Sequence, residues 1–373
     1  MRPARVLHIL QSMNRGGIEN FLMNQYRHID REKVQFDFLI NEQNVCAFED
    51  EITALGGRIY RMPRLSATGA AGSIAALDRF FKAHPEYAIC HSHYNGVSSL
   101  ILWIAKRNGV PHRIAHSHNC LYKLSGKNLA QNILKLPVKA VATELFACSS
   151  EAGRWLYGDR ALRSGSVTIV RNAIEAADFD FDPKLRSSMR HRLGIEDDIF
   201  VVGHTGSFTH QKNHRFAIDI LNRMVKIVPE VRFLFIGDGP LKAEIERYAE
   251  ESGVSDNCLF TGSVSNTGSY IQAMDAFVLP SFHEGLPLVA IEAQTAGLRC
   301  FISDTVSREC RITDSVDFLP LSDGAQRWAQ AIAAARRYER RGRRDEIAAA
   351  GYDAASSAAE LENFYVTLLK TNG

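Results

Sequence analysis

The sequence predicts an α/β protein made of two doubly wound domains in succession. Short apolar segments alternate with longer amphipathic ones, a pattern typical of parallel strands connected by helices. The alternation breaks at residues 176–196, where no clean strand pattern is present, and then restarts. The chain length of 373 residues agrees with two domains, because a single core rarely grows beyond about 300 residues.

The first half of the chain contains the first run of alternating elements. Its opening apolar segment is too short for the core of a signal peptide, so we predict a buried first strand. The predicted strands are Val6–Leu10, Phe36–Ile40, Arg58–Arg61, Ala88–His91, Arg113–His116, Leu145–Ala147 and Thr168–Val170. The predicted helices are Ile18–His28, Phe48–Leu55, Gly72–Ala83, Val97–Asn108 and Ala152–Leu156.

The second half repeats the pattern and ends in a long helix. Its predicted strands are Phe200–Thr205, Arg232–Ile236, Cys258–Thr261, Ala276–Leu279 and Cys300–Ile302. Its predicted helices are Arg215–Lys226, Leu241–Ser252, Thr267–Ala273 and Pro287–Ala296. The basic run 336–344 suggests a solvated helix surface. Asp353–Leu369 predicts a final amphipathic helix, so we divide the chain into 1–178, 179–352 and 353–373, with the last part packing back on the first.

Composition narrows the possible function classes. The net charge of +2 provides no general attraction for nucleic acid, so we expect no nucleic-acid partner. The 7 cysteines stand singly, without a Cys-x-x-Cys pair, which argues against a disulfide framework and fits a reducing compartment. No apolar run approaches the roughly 18 residues of a membrane-spanning helix. We therefore predict a cytoplasmic protein, with peripheral contact to the cytoplasmic membrane face as an open option.

The strongest local signal is the segment Ser281–Ala293, which follows a predicted strand and opens a helix. Gly285 lets backbone amides approach a ligand closely, and Pro287 suits the first turn of a helix. The amides and the helix dipole then favour an anion such as a diphosphate. Glu292 follows Glu284 by eight residues, about two helical turns, so both carboxylates can face one ligand. The alternative is a capping Glu284 and a Glu292 on the surface.

This segment resembles the E-x7-E signature of the retaining glycosyltransferases with the GT-B fold. That large group 1 family includes sucrose synthases and many bacterial polysaccharide enzymes. Asp275–Ser281 is similar to the family's strand before the signature, and Phe235–Pro240 is similar to its Gly-x-Gly-Pro turn. Phe260–Val264 is similar to its base-binding loop. Val170–Glu175 is similar to the segment that closes its first domain, and Gly16–Glu19 is similar to its first glycine loop. The resemblance implies two Rossmann-like domains facing across a cleft, an acceptor-side domain and a nucleotide-sugar domain.

The resemblance also implies a role for individual residues. Glu284 contacts the donor sugar and Glu292 binds the ribose, while Lys212 offsets the charge of the diphosphate. The remaining donor contacts, mainly through backbone, fall to Gly16, Gly17, Val264, Gly285, Leu286 and Pro287. The donor is a nucleoside-diphosphate sugar, with a UDP-sugar favoured, and no cofactor or metal is expected.

Ser207 departs from the family pattern. It stands where the family has an arginine, immediately after Gly206. A serine donates one hydrogen bond but carries no charge, whereas an arginine forms a charged, bidentate clamp. Either Lys212 acts with another cation, such as Arg215 or His210, or leaving-group stabilisation is weaker. The alternative function is a weakened or inactive member that binds nucleotide sugar as a scaffold.

Two His-Ser-His triplets, 91–93 and 116–118, follow predicted strands. Four histidines raise the question of a metal, but no carboxylate or cysteine stands at the spacing of a zinc site. The family places a catalytic histidine after the strand Arg113–His116, pointing at the donor sugar. His118, followed by Asn119, matches that position best, with His116 as the alternative.

The segment Leu121–Val141 mixes lysines with apolar residues. Such a basic amphipathic segment can lie on an anionic membrane surface, or it can be a solvated helix covering the first sheet. We take it as a candidate contact for a lipid-linked acceptor. The resemblance to the family implies retaining transfer of a sugar to a hydroxyl of a glycan acceptor, in extracellular or capsular polysaccharide synthesis.

Overall fold

The computed structural model describes residues 3–14, 16–63, 65–118 and 132–370. The chain divides into two compact units, one formed by Met1–Ala173 with Ala354–Gly373 and the other by Ile174–Asp353. The boundary predicted after residue 178 falls slightly later than the observed one, so the short helix that follows Glu175 belongs to the second unit.

The first unit contains a parallel sheet with the strand order β3-β2-β1-β4-β5-β6-β7. Because the order runs outward from β1 in both directions, the unit is doubly wound, with its switch point between β1 and β4. The strands are β1 Ala4–Leu10, β2 Val34–Ile40, β3 Ile59–Arg61, β4 Ile89–Ser92, β5 His112–Ser117, β6 Glu144–Ala147 and β7 Val167–Ile169. Its described helices are α1 Gly17–His28, α2 Glu49–Ala54, α3 Leu65–Ala83, α4 Ser98–Arg107, α5 Val138–Val141, α6 Ser150–Tyr157 and α7 Asp159–Arg163.

The second unit contains a parallel sheet with the order β10-β9-β8-β11-β12-β13. Its strands are β8 Phe200–Thr205, β9 Val231–Ile236, β10 Cys258–Gly262, β11 Ala276–Leu279, β12 Arg299–Ser303 and β13 Val316–Leu319. Its helices are α8 Ala176–Phe179, α9 Pro183–Arg192, α10 His214–Met224, α11 Lys242–Glu251, α12 Thr267–Gln272, α13 Leu288–Thr295, α14 Gly324–Ala334 and α15 Arg344–Ala349.

The strand β13 is absent from the sequence-based assignment. Its four residues include Asp317, which interrupts the apolar pattern because it forms a 2.7 Å ion pair with Arg299 on the neighbouring strand. The central strands, in contrast, agree with the prediction that strands of a parallel sheet are apolar and buried. Every residue of β8 and of β11 is buried, since helices cover both faces of a parallel sheet.

The last helix, α16 Ala354–Lys370, belongs to the first unit. It packs along α1 and inserts Leu361 and Tyr365 into the core around β1 and β2. Polar contacts fix its register, because Gln25 Nε2 donates to Ser357 Oγ at 2.9 Å.

The basic run 336–344 differs from the predicted solvated helix surface. Arg340 donates to the carbonyl oxygens of Ala296, Gln272 and Met274 at 2.6–2.8 Å. Arg343 is buried and contacts Asp314. Arg340 satisfies carbonyl groups at or near the ends of α12 and α13, which is a structural role that a charge pattern alone does not reveal. Among the helices that the structure describes, none combines the length and apolar character needed to span a bilayer.

Candidate functional site

Glu284 lies in the loop between β11 and α13, where two side chains hold its carboxylate. Oε1 lies 2.7 Å from Lys212 Nζ and accepts a hydrogen bond from Ser281 Oγ at 3.0 Å. The exposed fractions of the Lys212 and Glu284 side chains are 15% and 11%. The sequence does not assign a role to Ser281, although its position two residues after the end of β11 is the signal that could have marked it.

Lys212 reaches Glu284 because the loop after β8 is tied to the loop after β11. His210–Lys212 form one turn of 3-10 helix, and Asn213 adopts the left-handed conformation with φ of 55°. Gln211 Nε2 donates to the carbonyl of His283 at 2.9 Å, and the backbone N–H of Phe282 donates back to the Gln211 carbonyl at 2.9 Å. These reciprocal bonds place the ammonium group beside the carboxylate.

The turn Gly237-Asp238-Gly239 packs its backbone directly on the loop after β8. A Cβ atom on Gly237 would come within 2.1 Å of the Gly206 carbonyl oxygen, and one on Gly239 would come within 2.7 Å of Phe208 backbone atoms. The glycines therefore allow two backbones to touch. This contact supports the loop that holds Ser207 and Lys212.

The helix α13 begins after Pro287, which is the N-cap residue rather than part of the helix as predicted. Within the described residues, no side chain caps this N-terminus. A Cβ atom on Gly285 would meet nothing within 4 Å, and Gly285 does not adopt a positive φ. The backbone before α13 therefore faces open space, where a diphosphate has access to the positive end of the helix. Leu286 packs against the core of the unit.

Glu292 lies on α13. Burial raises the pKa of its carboxyl to about 7, and the positive charge of Lys212 opposes this shift. Glu292 is partly buried rather than fully solvated, as this desolvation requires. Lys212 thus acts electrostatically on both Glu284 and Glu292. Val264, which follows β10, is half-buried against the same core.

The replacement of the expected arginine by Ser207 leaves an exposed serine beside Gly206. Of the two alternative cations, Arg215 stacks its guanidinium 3.7 Å from the ring of Tyr248 on α11. His210 stacks on Phe282, with ring centroids 4.9 Å apart, two residues before Glu284. Of the two alternative residues, His210 is therefore the one that contacts the loop of Glu284.

In the first unit, Gly16 is the N-cap of α1 and Gly17 is its first residue. Nothing lies within 4 Å of a Cβ atom on Gly17, whereas one on Gly16 would come within 2.5 Å of Glu19 Oε2. Glu19 folds back over Gly16 and accepts a hydrogen bond from Ser12 Oγ at 3.1 Å. Its carboxylate complements the positive end of α1.

His118 follows β5 directly and remains partly exposed, whereas His116 is fully buried within the strand. The backbone N–H of His118 donates to Asn95 Oδ1 at 2.9 Å, and its Nε2 lies 2.8 Å from His93 Nδ1. Burial lowers the pKa of His118 to about 3, so its ring is neutral at pH 7. Asn119 lies outside the described residues.

The basic segment Leu121–Val141 is described only from residue 132 onward. There, Lys135 and Lys139 donate to the carbonyls of Trp155 and Tyr157 at 3.0 and 3.1 Å. These two lysines therefore cap the end of α6. Apolar side chains nearby remain exposed, with exposed fractions of 59% for Ile133 and 72% for Leu136.

Two doubly wound parallel units, with a glycine-bordered helix N-terminus beside a lysine and two glutamates, define a glycosyltransferase of the GT-B fold. Solved structures agree with this fold. HepE of Anabaena, crystallised with UDP, superposes with a TM-score of 0.72 at 17% identity, covering 99% of this chain and 98% of that chain. WaaG, a glycosyltransferase of lipopolysaccharide biosynthesis, gives 0.68 at 14% identity, with coverage of 97% and 99%.

The chain belongs to the group 1 glycosyltransferases. The family model "Glycosyl transferases group 1" matches residues 199–336, and "Glycosyl transferase 4-like domain" matches residues 16–179. The putative glycosyltransferase EpsF of Bacillus subtilis is 34% identical over 97% of this chain and 96% of its own length. The capsular polysaccharide biosynthesis glycosyltransferase CapH of Staphylococcus aureus is 26% identical, with 78% of each chain covered.

Proposed function

We propose that this glycosyltransferase moves a sugar, with retention of anomeric configuration, from a UDP-sugar to a hydroxyl of a lipid-linked glycan acceptor. The setting that the relatives' names favour is extracellular or capsular polysaccharide synthesis. The observation that carries the proposal is the convergence of Lys212 and Glu284 beside the open N-terminus of α13. An ammonium group and helix amides together match a diphosphate leaving group.

The diphosphate is assigned to the backbone of Gly285, Leu286 and Pro287, with Lys212 as its side-chain cation. Negative charge develops on the leaving group as the glycosidic bond breaks, so groups already fixed there stabilise the transition state most. The bonds between the two loops hold Lys212 in place before the reaction. HepE has been crystallised with UDP-glucose, which favours a UDP-sugar donor for this chain as well.

The sugar and the nucleoside are assigned to the two glutamates. Glu284 accepts hydroxyls of the donor sugar, and Glu292 accepts the ribose hydroxyls once its carboxyl is ionised. Val264 holds the base. Ser207 donates one hydrogen bond to the diphosphate in place of the arginine, and His210 is assigned as a further partner of the diphosphate beside Lys212.

On the first unit, we assign Gly16 and Gly17 to the phosphates and His118 to the donor sugar. We assign neither a cofactor nor a metal to the reaction. The acceptor hydroxyl attacks from the same face as the departing diphosphate, so no enzyme nucleophile is required. Glu292 is assigned to the ribose and is therefore not proposed as a nucleophile.

The acceptor is proposed to meet the first unit near its exposed apolar side chains. Trp103 has an exposed fraction of 41% and carries Arg107 over its ring at 4.9 Å, and Leu136 is more exposed still. Aromatic, aliphatic and basic side chains together favour an anionic membrane surface. The test is sedimentation with phosphatidylglycerol vesicles: we expect binding at low salt that Trp103→Ala with Leu136→Ser reduces, and equal sedimentation of both proteins contradicts the assignment.

The function is tested by turnover. The purified protein is incubated with a panel of radiolabelled nucleotide sugars and a lipid extract, and the product linkage is determined by NMR. We expect one UDP-sugar to be consumed and an anomeric configuration identical to that of the donor. An inverted product contradicts the retaining assignment.

The second candidate function is nucleotide-sugar binding without transfer, and Ser207 is the observation that favours it. Binding and turnover separate the two. A protein that binds the UDP-sugar tightly but transfers no sugar to any acceptor in the extract supports the scaffold. The variant Ser207→Arg then provides a sharper comparison, since a weakened enzyme gains activity when the charged clamp is restored.

A further inference from the structure

Five histidines lie side by side on one face of the sheet of the first unit. His8 in β1 is paired in register with His91 in β4. His93 and His118 continue the same face beyond β4 and β5, because side chains two residues apart point to the same side of a strand. We call His8, His91, His93, His116 and His118 the histidine ladder. His118 is its one partly exposed member, and the other members are buried.

The ladder consists of two separate rows of hydrogen bonds. In the first row, His8 Nδ1 lies 3.0 Å from His93 Nε2, and His93 Nδ1 lies 2.8 Å from His118 Nε2. In the second row, the Tyr365 hydroxyl lies 2.7 Å from His91 Nδ1, and His91 Nε2 lies 3.2 Å from His116 Nδ1. Only the first row ends at His118.

Burial keeps all five rings neutral. It lowers the pKa of His8 to about 3 and those of His91, His93 and His116 well below the ordinary value. A neutral imidazole carries one N–H and one lone pair. In the first row, each contact needs one donor and one acceptor, so the three protons must all sit on Nδ1 or all sit on Nε2. The tautomer of His118 is therefore coupled to those of His93 and His8.

The two ends of the row differ in exposure, and this difference favours one of the two arrangements. Among the described residues, His8 Nε2 has no hydrogen-bond partner, and the ring of Phe36 packs 4.2 Å from the His8 ring. A buried N–H without an acceptor is rarer in proteins than an incompletely used acceptor. His118 Nδ1, at the other end of the row, also lacks a partner among the described residues, but His118 is partly exposed whereas His8 is fully buried. An acceptor from outside the row can therefore approach His118 more readily than His8, which favours a lone pair on His8 Nε2 and protons on Nδ1.

We propose that His8 and His93 are positioning residues that fix His118 as its Nδ1–H tautomer, so that His118 presents a hydrogen-bond donor rather than an acceptor. At that end, His118 Nδ1 has no partner among the described residues. The identity of the acceptor, an oxygen of the donor sugar, rests on the proposed function. The coupling of the three tautomers does not.

A metal ion in the same cluster is the competing explanation. The imidazoles of His93, His116 and His118 are close enough to offer ligands to one ion. However, two nitrogens that each bind a tetrahedral zinc at about 2.0–2.1 Å stand about 3.3 Å apart. The contact of 2.8 Å between His93 and His118 is shorter, as expected for a shared proton.

The protein without substitutions provides the first test. In deuterated protein with 15N-labelled histidine, we expect the nitrogen shifts of His8, His93 and His118 to report protonated Nδ1. A scalar coupling across the hydrogen bond should join His93 Nδ1 to His118 Nε2. Protonated Nε2 in His118, or the absence of that coupling, overturns the proposal.

Substitution of the distant end provides the second test. His8→Asn retains an amide donor near the position of Nδ1, whereas His8→Leu removes it. We expect Asn to preserve the Nδ1–H signature of His118 and Leu to yield a mixture of tautomers. Tyr365→Phe is the matched control, because it removes a hydrogen bond of the second row only and should leave His118 unchanged. An unchanged His118 signature in folded His8→Leu overturns the proposal.

Turnover separates this proposal from the proposed function. If the tautomer proposal and the proposed function are both correct, kcat of His8→Leu falls about fivefold to tenfold, as expected for one weakened hydrogen bond, and His8→Asn restores it. A changed tautomer with unchanged kcat supports the row but contradicts the role of His118 in transfer. Finally, Co²⁺ is added to the protein: an intense tetrahedral absorption band at one equivalent supports the metal site and overturns the proposal.

Discussion

The Lys212 ammonium lies 2.7 Å from the Glu284 carboxylate, and its charge also lowers the pKa of Glu292. One cation therefore acts on both glutamates of the E-x7-E segment. In the proposed reaction it acts on the diphosphate as well. The charge of Lys212 consequently links sugar binding, ribose binding and leaving-group departure.

Replacing Lys212 with methionine should affect the chemical step most strongly. Loss of a fixed charge at the leaving group is expected to lower kcat by about 100-fold to 1,000-fold. Lys212→Arg, which retains the charge, is the matched control and should lose much less. The measurement is steady-state kinetics with the UDP-sugar identified in the turnover screen. Equal kcat values for the methionine and arginine variants would contradict a role for the charge.

Glu284→Gln removes a charge but keeps the shape and one acceptor for Ser281. We expect sugar transfer to fall at least about 100-fold, because the amide accepts hydroxyls more weakly than a carboxylate does. The thermal unfolding temperature should change little, since the side chain packs in a loop rather than in a core. Calorimetry of the same preparation provides the control, and full activity in the folded variant is the contrary outcome.

Gly285→Ala tests whether the space before α13 is used by a ligand. The new methyl group meets no protein atom within 4 Å, so the fold should tolerate it. If a diphosphate lies against this backbone, the displacement should weaken UDP binding by about tenfold to 100-fold. Titration calorimetry measures the affinity, and an unfolding curve that matches the parent shows that the loss is local. An unchanged affinity for UDP would contradict the placement of the diphosphate at this position.

Donor binding should depend on pH through Glu292. Its pKa is raised to about 7, so the carboxylate is mostly protonated at pH 6 and mostly ionised at pH 8. Affinity for UDP-glucose, whose phosphates do not titrate in this range, should rise as the pH increases through 7. Glu292→Gln should flatten the profile. Lys212→Met should move its midpoint to higher pH, because the cation that favours ionisation is gone, and a midpoint that stays fixed contradicts the coupling.

The raised pKa of Glu292 also predicts how the stability of the fold depends on pH. Because its folded pKa lies above its unfolded value, the group favours the folded state at low pH, and this contribution is lost as the pH rises through 7. The parent should therefore lose more stability between pH 6 and pH 8 than Glu292→Gln. Denaturant unfolding at the two pH values measures the difference, and parallel losses exclude the linkage.

Arg340 and Arg336 provide a matched pair within one basic run. Arg340 donates to three carbonyl groups, and burial lowers its pKa to about 9, whereas Arg336 is exposed. Arg340→Met should reduce the free energy of unfolding by about 2 kcal/mol, because buried carbonyls lose their donors. Arg336→Met should change it by less than about 0.5 kcal/mol. Similar effects for both variants would exclude the structural role.

The sequence predicts the fold well where strands are buried on both faces. The strands Phe200–Thr205 and Ala276–Leu279 lie where their apolar runs place them. Asp317 hides the edge strand β13, because an ion pair across an edge does not produce an apolar run. Likewise, Arg340 of the basic run donates to carbonyls that are distant in sequence, and no local pattern records that pairing.

The candidate site also contains features that the local sequence predicts and features that only the fold reveals. The motif predicts that Glu284, Gly285 and Glu292 belong to one segment, because loop and helix spacing are local properties. The contact with Lys212 depends on reciprocal bonds between two loops, so it requires the fold. The histidine ladder had a partial signal in its two His-Ser-His triplets, but His8 joins them only through the pairing of β1 with β4.

The return of α16 to the first unit has a consequence for synthesis. Leu361 and Tyr365 complete a core whose other buried members lie between Val6 and Phe146. The first unit therefore cannot finish folding until α16 has left the ribosome, while the continuous stretch Ile174–Asp353 can fold earlier. A nascent chain stalled shortly before Ala354 should hold a protease-resistant second unit beside an unfinished first one.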